Sequence, residues 1–123
     1  MPYFPPELPK RAPRISFAEN TPAVVRSRDG CRKGKLQTVS LTGGLLYLPK
    51  PVDQGAHVKL MFLTNSGSVL GAAEMLSPIS WSLQPFKFLK LYDDDQRRLE
   101  ATIRSTLKQS WRDRVQVERY RAW

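Results

Sequence analysis

Two groups of residues in this sequence have the types and spacing to act on an anionic ligand. The first is Lys10-Arg11-Ala12-Pro13-Arg14, three cations within five positions. Arginine presents a planar fork of N–H donors that pairs with phosphate oxygens at two points. The same fork matches the O6/N7 edge of guanine and can stack on a base. Lysine carries the charge without the fork. The second group is Thr38-Val39-Ser40-Leu41-Thr42-Gly43-Gly44. Ser40 offers a hydroxyl that both donates and accepts. Gly43-Gly44 reads as a tight turn that needs positive φ and lets the backbone approach a bulky ligand.

Other chemistry-bearing residues do not assemble into a site. Gly30-Cys31-Arg32-Lys33-Gly34-Lys35 is one residue short of a phosphate loop, and Leu36 stands where a metal-binding Ser or Thr belongs. The segment enters a strand instead of a helix, so no amide cradle is expected and it reads as a basic turn. Val39-Ser40-Leu41 is not a nucleophile elbow. His57, the sole histidine and the one candidate base, falls among strand residues and reads as a partly exposed strand position. Asp93-Asp94-Asp95 suits the positive end of a helix better than a cation. Cys31 reads as a spectator thiol. One Cys excludes an intramolecular disulfide and a Cys-based zinc site, and one His excludes a His-rich metal centre. Catalysis, a metal and a cofactor are therefore not expected.

These candidates are carried by a chain of 123 residues with 20 Lys plus Arg against 11 Asp plus Glu, a formal charge of +9. An anionic partner is favoured: a nucleotide, a nucleic acid, a membrane surface or an acidic protein. The charge is concentrated toward the C-terminus, where residues 97–123 hold eight basic and three acidic residues. The length suits one domain. No apolar run is long enough to span a bilayer. The Pro-rich start lacks an apolar leader segment, so a secretory signal is not expected and a reduced, cytoplasmic setting is.

The elements that must position the two groups follow from the hydrophobic pattern. Residues 1–14 contain five prolines and read as a flexible basic arm. Strands are expected at Ala23–Ser27, Lys35–Ser40, Gly44–Leu48, His57–Leu63, Val69–Leu76 and Trp81–Leu91, each bounded by Gly, Pro, Asn or Asp. The stretch 64–68 reads as a hairpin loop. Six short strands at close spacing indicate a small barrel or sandwich. The period then changes: Leu99, Ile103, Leu107 and Trp111 recur every four residues on one helical face. Asp93 is placed to cap this helix, with Gln96 completing a capping box. Arg97, Arg98, Arg104 and Lys108 fall off the stripe. The expected organisation is an arm over 1–14, a barrel plus helix over 15–110, and a basic tail or helix extension over 111–123.

From Lys10 to Leu107 the sequence resembles the PilZ domain family. There an Arg-x-x-x-Arg arm precedes the first strand and an Asp/Asn-x-Ser-x-x-Gly turn lies on the barrel. Leu36–Leu45 looks like that family's second-to-third strand segment, and Val69–Glu74 and Phe86–Leu91 look like its later strands. The resemblance implies a mainly β fold, a six-stranded antiparallel barrel with a C-terminal amphipathic helix. It also implies a bacterial receptor for the second messenger cyclic di-GMP, often bound as an intercalated dimer. Arginines of the arm would grip phosphates and guanines, and the turn would hold a guanine edge. The signal would pass to an effector protein.

The implied ligand-binding residues are Lys10, Arg11, Arg14, Thr38, Ser40, Gly43 and Gly44. Two positions depart from the pattern. Arg11 and Arg14 are one residue too close, so the alternative register is Lys10 and Arg14. Thr38 stands where the family has an acid or amide, and its hydroxyl accepts more weakly and at shorter reach. Losing one charged hydrogen bond costs about 1.5–3 kcal/mol, roughly ten- to a hundredfold in affinity. The alternative is therefore a PilZ-like protein-interaction module without nucleotide, with Trp111, Tyr120 and Trp123 on its contact surface. A nucleic-acid binder ranks third, because the barrel segment is near neutral and no RNA-type aromatic motif is present.

Overall fold

A computed structural model describes residues 14–121, except the side chains of residues 18–20 and those from residue 110 onward. Six strands precede one helix: β1 (Ile15–Ser27), β2 (Gly30–Val39), β3 (Gly43–Tyr47), β4 (His57–Thr64), β5 (Gly67–Met75), β6 (Leu83–Leu91) and α1 (Asp93–Arg121). All neighbouring strands are antiparallel, in the order β1-β2-β3-β6-β5-β4, and β1 pairs with β4 to close the barrel. Closure leaves no open sheet edge.

Alternation drives the barrel. Along β4, Val58, Leu60 and Phe62 are buried while His57, Lys59, Met61 and Leu63 face outward. Along β5, Val69, Ala73 and Met75 point inward. These side chains meet Val25, Leu36, Val39, Leu46 and Phe86 in one core. Gly30 and Gly67 take positive φ at the ends of two-residue hairpin turns, Arg28-Asp29 and Asn65-Ser66. The near phosphate loop, expected as a basic turn ahead of a strand at Lys35, is instead the first half of β2, because the chain turns earlier, at Arg28-Asp29, and pairs with β1 from Gly30 onward.

β1 is much longer than the expected Ala23–Ser27. It starts at Ile15 and shifts register between Ser16 and Thr21. Such an irregularity bends a strand and breaks its alternation, so the pattern does not show in the sequence.

The helix extends the core. Leu99 is fully buried and Ile103 nearly so. Its N-terminus is tied to the β4–β5 hairpin: Asp95 Oδ1 accepts from Leu70 N at 2.9 Å and from the Arg98 guanidinium at 3.1 Å, and Arg98 Nε donates to the Ser68 carbonyl at 2.7 Å. Thr102 Oγ1 meets Asn65 Oδ1 at 3.2 Å. The expected capping box does not form. The Tyr92 carbonyl accepts the first helical bond from Gln96 N, which makes Asp93 the first helical residue, and Gln96 donates to Glu100 instead. Asp95, placed to satisfy a strand amide, is the acid that fixes the helix start. The helix backbone continues to Arg121, so residues 111–121 extend it. Trp111, Tyr120 and Trp123 lie outside the described side chains.

Of the expected apolar stripe, Leu99 and Ile103 enter the core, whereas Leu107 is 42% exposed. Leu99→Ala is expected to cost about 2–5 kcal/mol in denaturant unfolding, and Leu107→Ala under about 1 kcal/mol. Equal losses would contradict this division of the stripe.

Candidate functional site

The β1–β2 register assembles the site. Ile15 pairs with Val39 and Ser16 with Thr38. The next step outward therefore sets Arg14 at the level of Ser40, where β2 ends and the turn to β3 begins. Arg14 is exposed, and among the described residues it has no hydrogen-bond or ion-pair partner. Thr38, Ser40, Gly43 and Gly44 lie around the same turn, so five of the seven expected residues converge at one end of the barrel. Lys10 and Arg11 lie outside the described residues.

The turn is built around the Ser40 hydroxyl. Ser40 is buried. Its Oγ accepts from Thr42 N at 3.1 Å, reaches the Gly43 carbonyl at 3.2 Å and meets Thr42 Oγ1 at 3.0 Å. Ser40 N donates to the Gly43 carbonyl at 2.7 Å, which closes the turn. The Thr42 carbonyl accepts from Phe88 N at 2.8 Å, which pins it to β6. Ser40 thus shapes the turn by satisfying donors and acceptors that a short loop would otherwise leave unpaired.

The glycine pair works differently from the expectation. Gly43 and Gly44 begin β3, and neither has positive φ. They are needed for closeness: a Cβ at Gly43 would collide with the Phe86 carbonyl oxygen, and one at Gly44 with the Thr38 carbonyl oxygen. Glycine lets β3 press between β2 and β6 here, against the edge-to-face pair Phe86–Phe88 with ring centroids 5.1 Å apart.

Thr38 Oγ1 is buried and has no hydrogen-bond partner among the described residues. A buried unpaired hydroxyl is costly, and the Oε1 of the preceding Gln37 is likewise buried without a partner among the described residues. Beside the turn lies a cleft of about 300 Å³ between Leu41 and the helix residues Glu100, Ile103, Arg104 and Leu107. Arg104, one of the cations that fall off the apolar stripe, stands on this cleft. Only the chain's return from β6 into α1 brings the helix beside the turn, so no local signal marks it.

Away from this end, His57 Nε2 lies 3.6 Å from Glu74 Oε1 across the β4–β5 ladder, an exposed cross-strand pair. Cys31 is exposed on β2. Among the described residues no group of three or more His, Cys, Asp or Glu side chains is placed to hold a metal ion. No described helix is long and apolar enough to cross a membrane.

No family model matches the sequence, and no curated protein does. The structure is similar to solved structures. One is the PilZ domain with cyclic di-GMP of YcgR from Escherichia coli, at TM-score 0.70 and 19% identity over 85% of this chain and 96% of that one. Another is YcgR from Escherichia coli in complex with cyclic di-GMP, at TM-score 0.73 and 20% identity over 89% of this chain and 50% of that one. A third is the Bacillus subtilis inhibitor of motility, MotI/DgrA, at TM-score 0.63 and 14% identity over 80% of this chain and 53% of that one. The chain has the PilZ-domain fold.

The two hydroxyls at the turn separate by experiment. Ser40→Ala is expected to lower unfolding stability by about 1–3 kcal/mol, because it strands the groups its hydroxyl satisfies. Thr38→Val, nearly isosteric, is expected to be neutral or stabilising. Urea unfolding of the two variants reads both, and the reverse order would contradict the assignment.

Proposed function

We propose that this protein is a cyclic di-GMP receptor, a binding module without catalysis of its own that relays the nucleotide's arrival to another protein. The observation that carries the reading is the β1–β2 register, which sets the exposed, unpartnered Arg14 beside the turn that begins at Thr38 and Ser40. The fold's likeness to a PilZ domain with cyclic di-GMP supports it.

In this reading Arg14 forks onto a phosphate or a guanine edge, with Lys10 or Arg11 supplying a second cation from the arm. The Thr38 hydroxyl takes a guanine N–H, which gives its buried oxygen the partner the fold withholds. Ser40, Gly43 and Gly44 hold the turn in shape without touching the ligand through a free hydroxyl. Binding brings the arm against the barrel, and that change of surface is what an effector protein reads.

A second reading is favoured by one observation. The Ser40 hydroxyl is already engaged within the turn, and Thr38 offers a short neutral group, so the turn presents few free acceptors to a guanine. In that reading the domain works through protein contacts alone.

Calorimetric titration with cyclic di-GMP, with GMP as control, decides between them. The receptor reading expects binding that Arg14→Ala weakens by at least about ten- to a hundredfold, with a thermal midpoint within about 2 °C of wild type. It also expects Thr38→Asn, which restores a longer amide acceptor, to tighten binding by about tenfold. No heat up to about 1 mM nucleotide leaves the interaction-module reading. A large stability loss on Arg14→Ala would make that residue structural.

A further inference from the structure

The outer wall of the barrel holds a second feature, away from the Arg14 end. Lys33 and Lys35 are both exposed on β2. Gly34 lies between them with no room for a Cβ against the Tyr47 carbonyl oxygen, so the Tyr47–Pro49 segment sits tight against β2. There Tyr47, Leu48, Pro49, Ser82 and the two lysines line a cleft of about 360 Å³. Next to Ser82, Trp81 is 90% exposed and Ile79 64% exposed. The loop that carries them is fixed: Ile79 N and Ser80 N both donate to the Leu83 carbonyl, at 2.9 and 3.3 Å, and Leu48 N donates to the Ser82 carbonyl at 2.8 Å. A tryptophan held almost wholly in water by an ordered turn is unusual for a surface with nothing to bind.

The charge around it is uncompensated. Neither lysine pairs with a carboxylate; the ion pairs among the described residues, His57–Glu74 and Arg98–Asp95, lie on β4, β5 and α1. Along the same wall Lys33 registers with Val24, which registers with Met61 and then Leu70, an outward apolar row. In the row beside it Arg26 stands directly opposite Lys59. Like charges in opposed positions cost stability, and an anionic partner relieves that cost.

We propose that this cleft docks an acidic segment of a partner protein: one bulky apolar side chain over Tyr47, Leu48 and Pro49, flanked by carboxylates on Lys33 and Lys35, with Trp81 against it. The chemistry selects this occupant. A second copy of the same wall would set lysine against lysine. A concave apolar cleft fits a side chain better than a bilayer surface, and a phosphate backbone leaves its apolar lining unused. An exposed Trp on an ordered loop next to an apolar cleft is the residue type that anchors interfaces. The proposal does not rest on nucleotide binding at the Arg14 end, so it is tested without nucleotide.

The test titrates the ¹⁵N-labelled full chain with a synthetic Asp/Glu-rich peptide bearing one central Leu, followed by amide and indole resonances. Parallel titrations use the same peptide with Gln for every acid, single-stranded and duplex oligonucleotides, and phosphatidylglycerol/phosphatidylcholine vesicles. The acidic peptide is expected to shift Lys33, Lys35, Leu48 and the Trp81 indole. The variant Lys33→Glu/Lys35→Glu is expected to weaken it at least about tenfold at an unchanged thermal midpoint. Trp81→Ala, which removes no charge, is expected to weaken it as well. The proposal is overturned by no shifts at these positions up to millimolar peptide, by equal binding of the Gln peptide, by unaltered binding to the double variant, or by shifts here from vesicles or oligonucleotide but not from peptide.

Discussion

β1 is paired on both sides at once, and the site depends on that. Its second half lies between β2 and β4 and closes the barrel, while its first residues stay on β2 alone. The irregularity between Ser16 and Thr21 lets one strand serve both functions. Because Ile15 is locked opposite Val39 and buried in the core, the chain that precedes it must emerge beside the Ser40 turn. A slip of one residue would turn Ile15 out of the core. The hydrophobic core therefore fixes Arg14 beside the Ser40 turn.

The turn is a packing device. Ser40 makes its contacts inside the turn, and Gly43 and Gly44 exist for the closeness of β2, β3 and β6. These residues set the shape; Arg14 and the Thr38 hydroxyl beside them have no hydrogen-bond partner among the described residues, and Arg104 stands on the neighbouring cleft. A second rivet holds the other end of the barrel. Gln84 is buried, with Nε2 donating to the Val52 carbonyl at 2.7 Å and the Leu76 carbonyl at 2.9 Å, and Oε1 accepting from Val52 N at 2.9 Å. It satisfies itself on two loops, as a buried amide must.

Much of this was legible in the sequence, and the exceptions share a cause. The six strands, the 64–68 hairpin and the change of period at the helix follow from spacing alone, because each is a local pattern. The first half of β1 does not show in the sequence because the irregularity between Ser16 and Thr21 breaks its alternation. The capping box was misread because Asp95 answers to Leu70 N, a partner 25 residues away. Gly43-Gly44 looked like a turn needing positive φ, whereas their constraint is a neighbouring backbone that only the folded sheet supplies. Arg104 and Gln84 carry no local signal; one gains its place from a helix return, the other from two loops. Contacts distant along the chain are what the sequence withholds, and here they decide which polar groups are spent on the fold and which remain free.

The central claim is that the Arg14 end of the barrel is where the nucleotide binds. The most direct measurement is a map of backbone amide shifts on adding cyclic di-GMP to the ¹⁵N-labelled full chain. The account predicts that the largest changes fall on Arg14, Ile15 and residues 38–44, with β4 and the 79–82 loop unmoved. Shifts centred elsewhere, or none at saturating nucleotide, would contradict it.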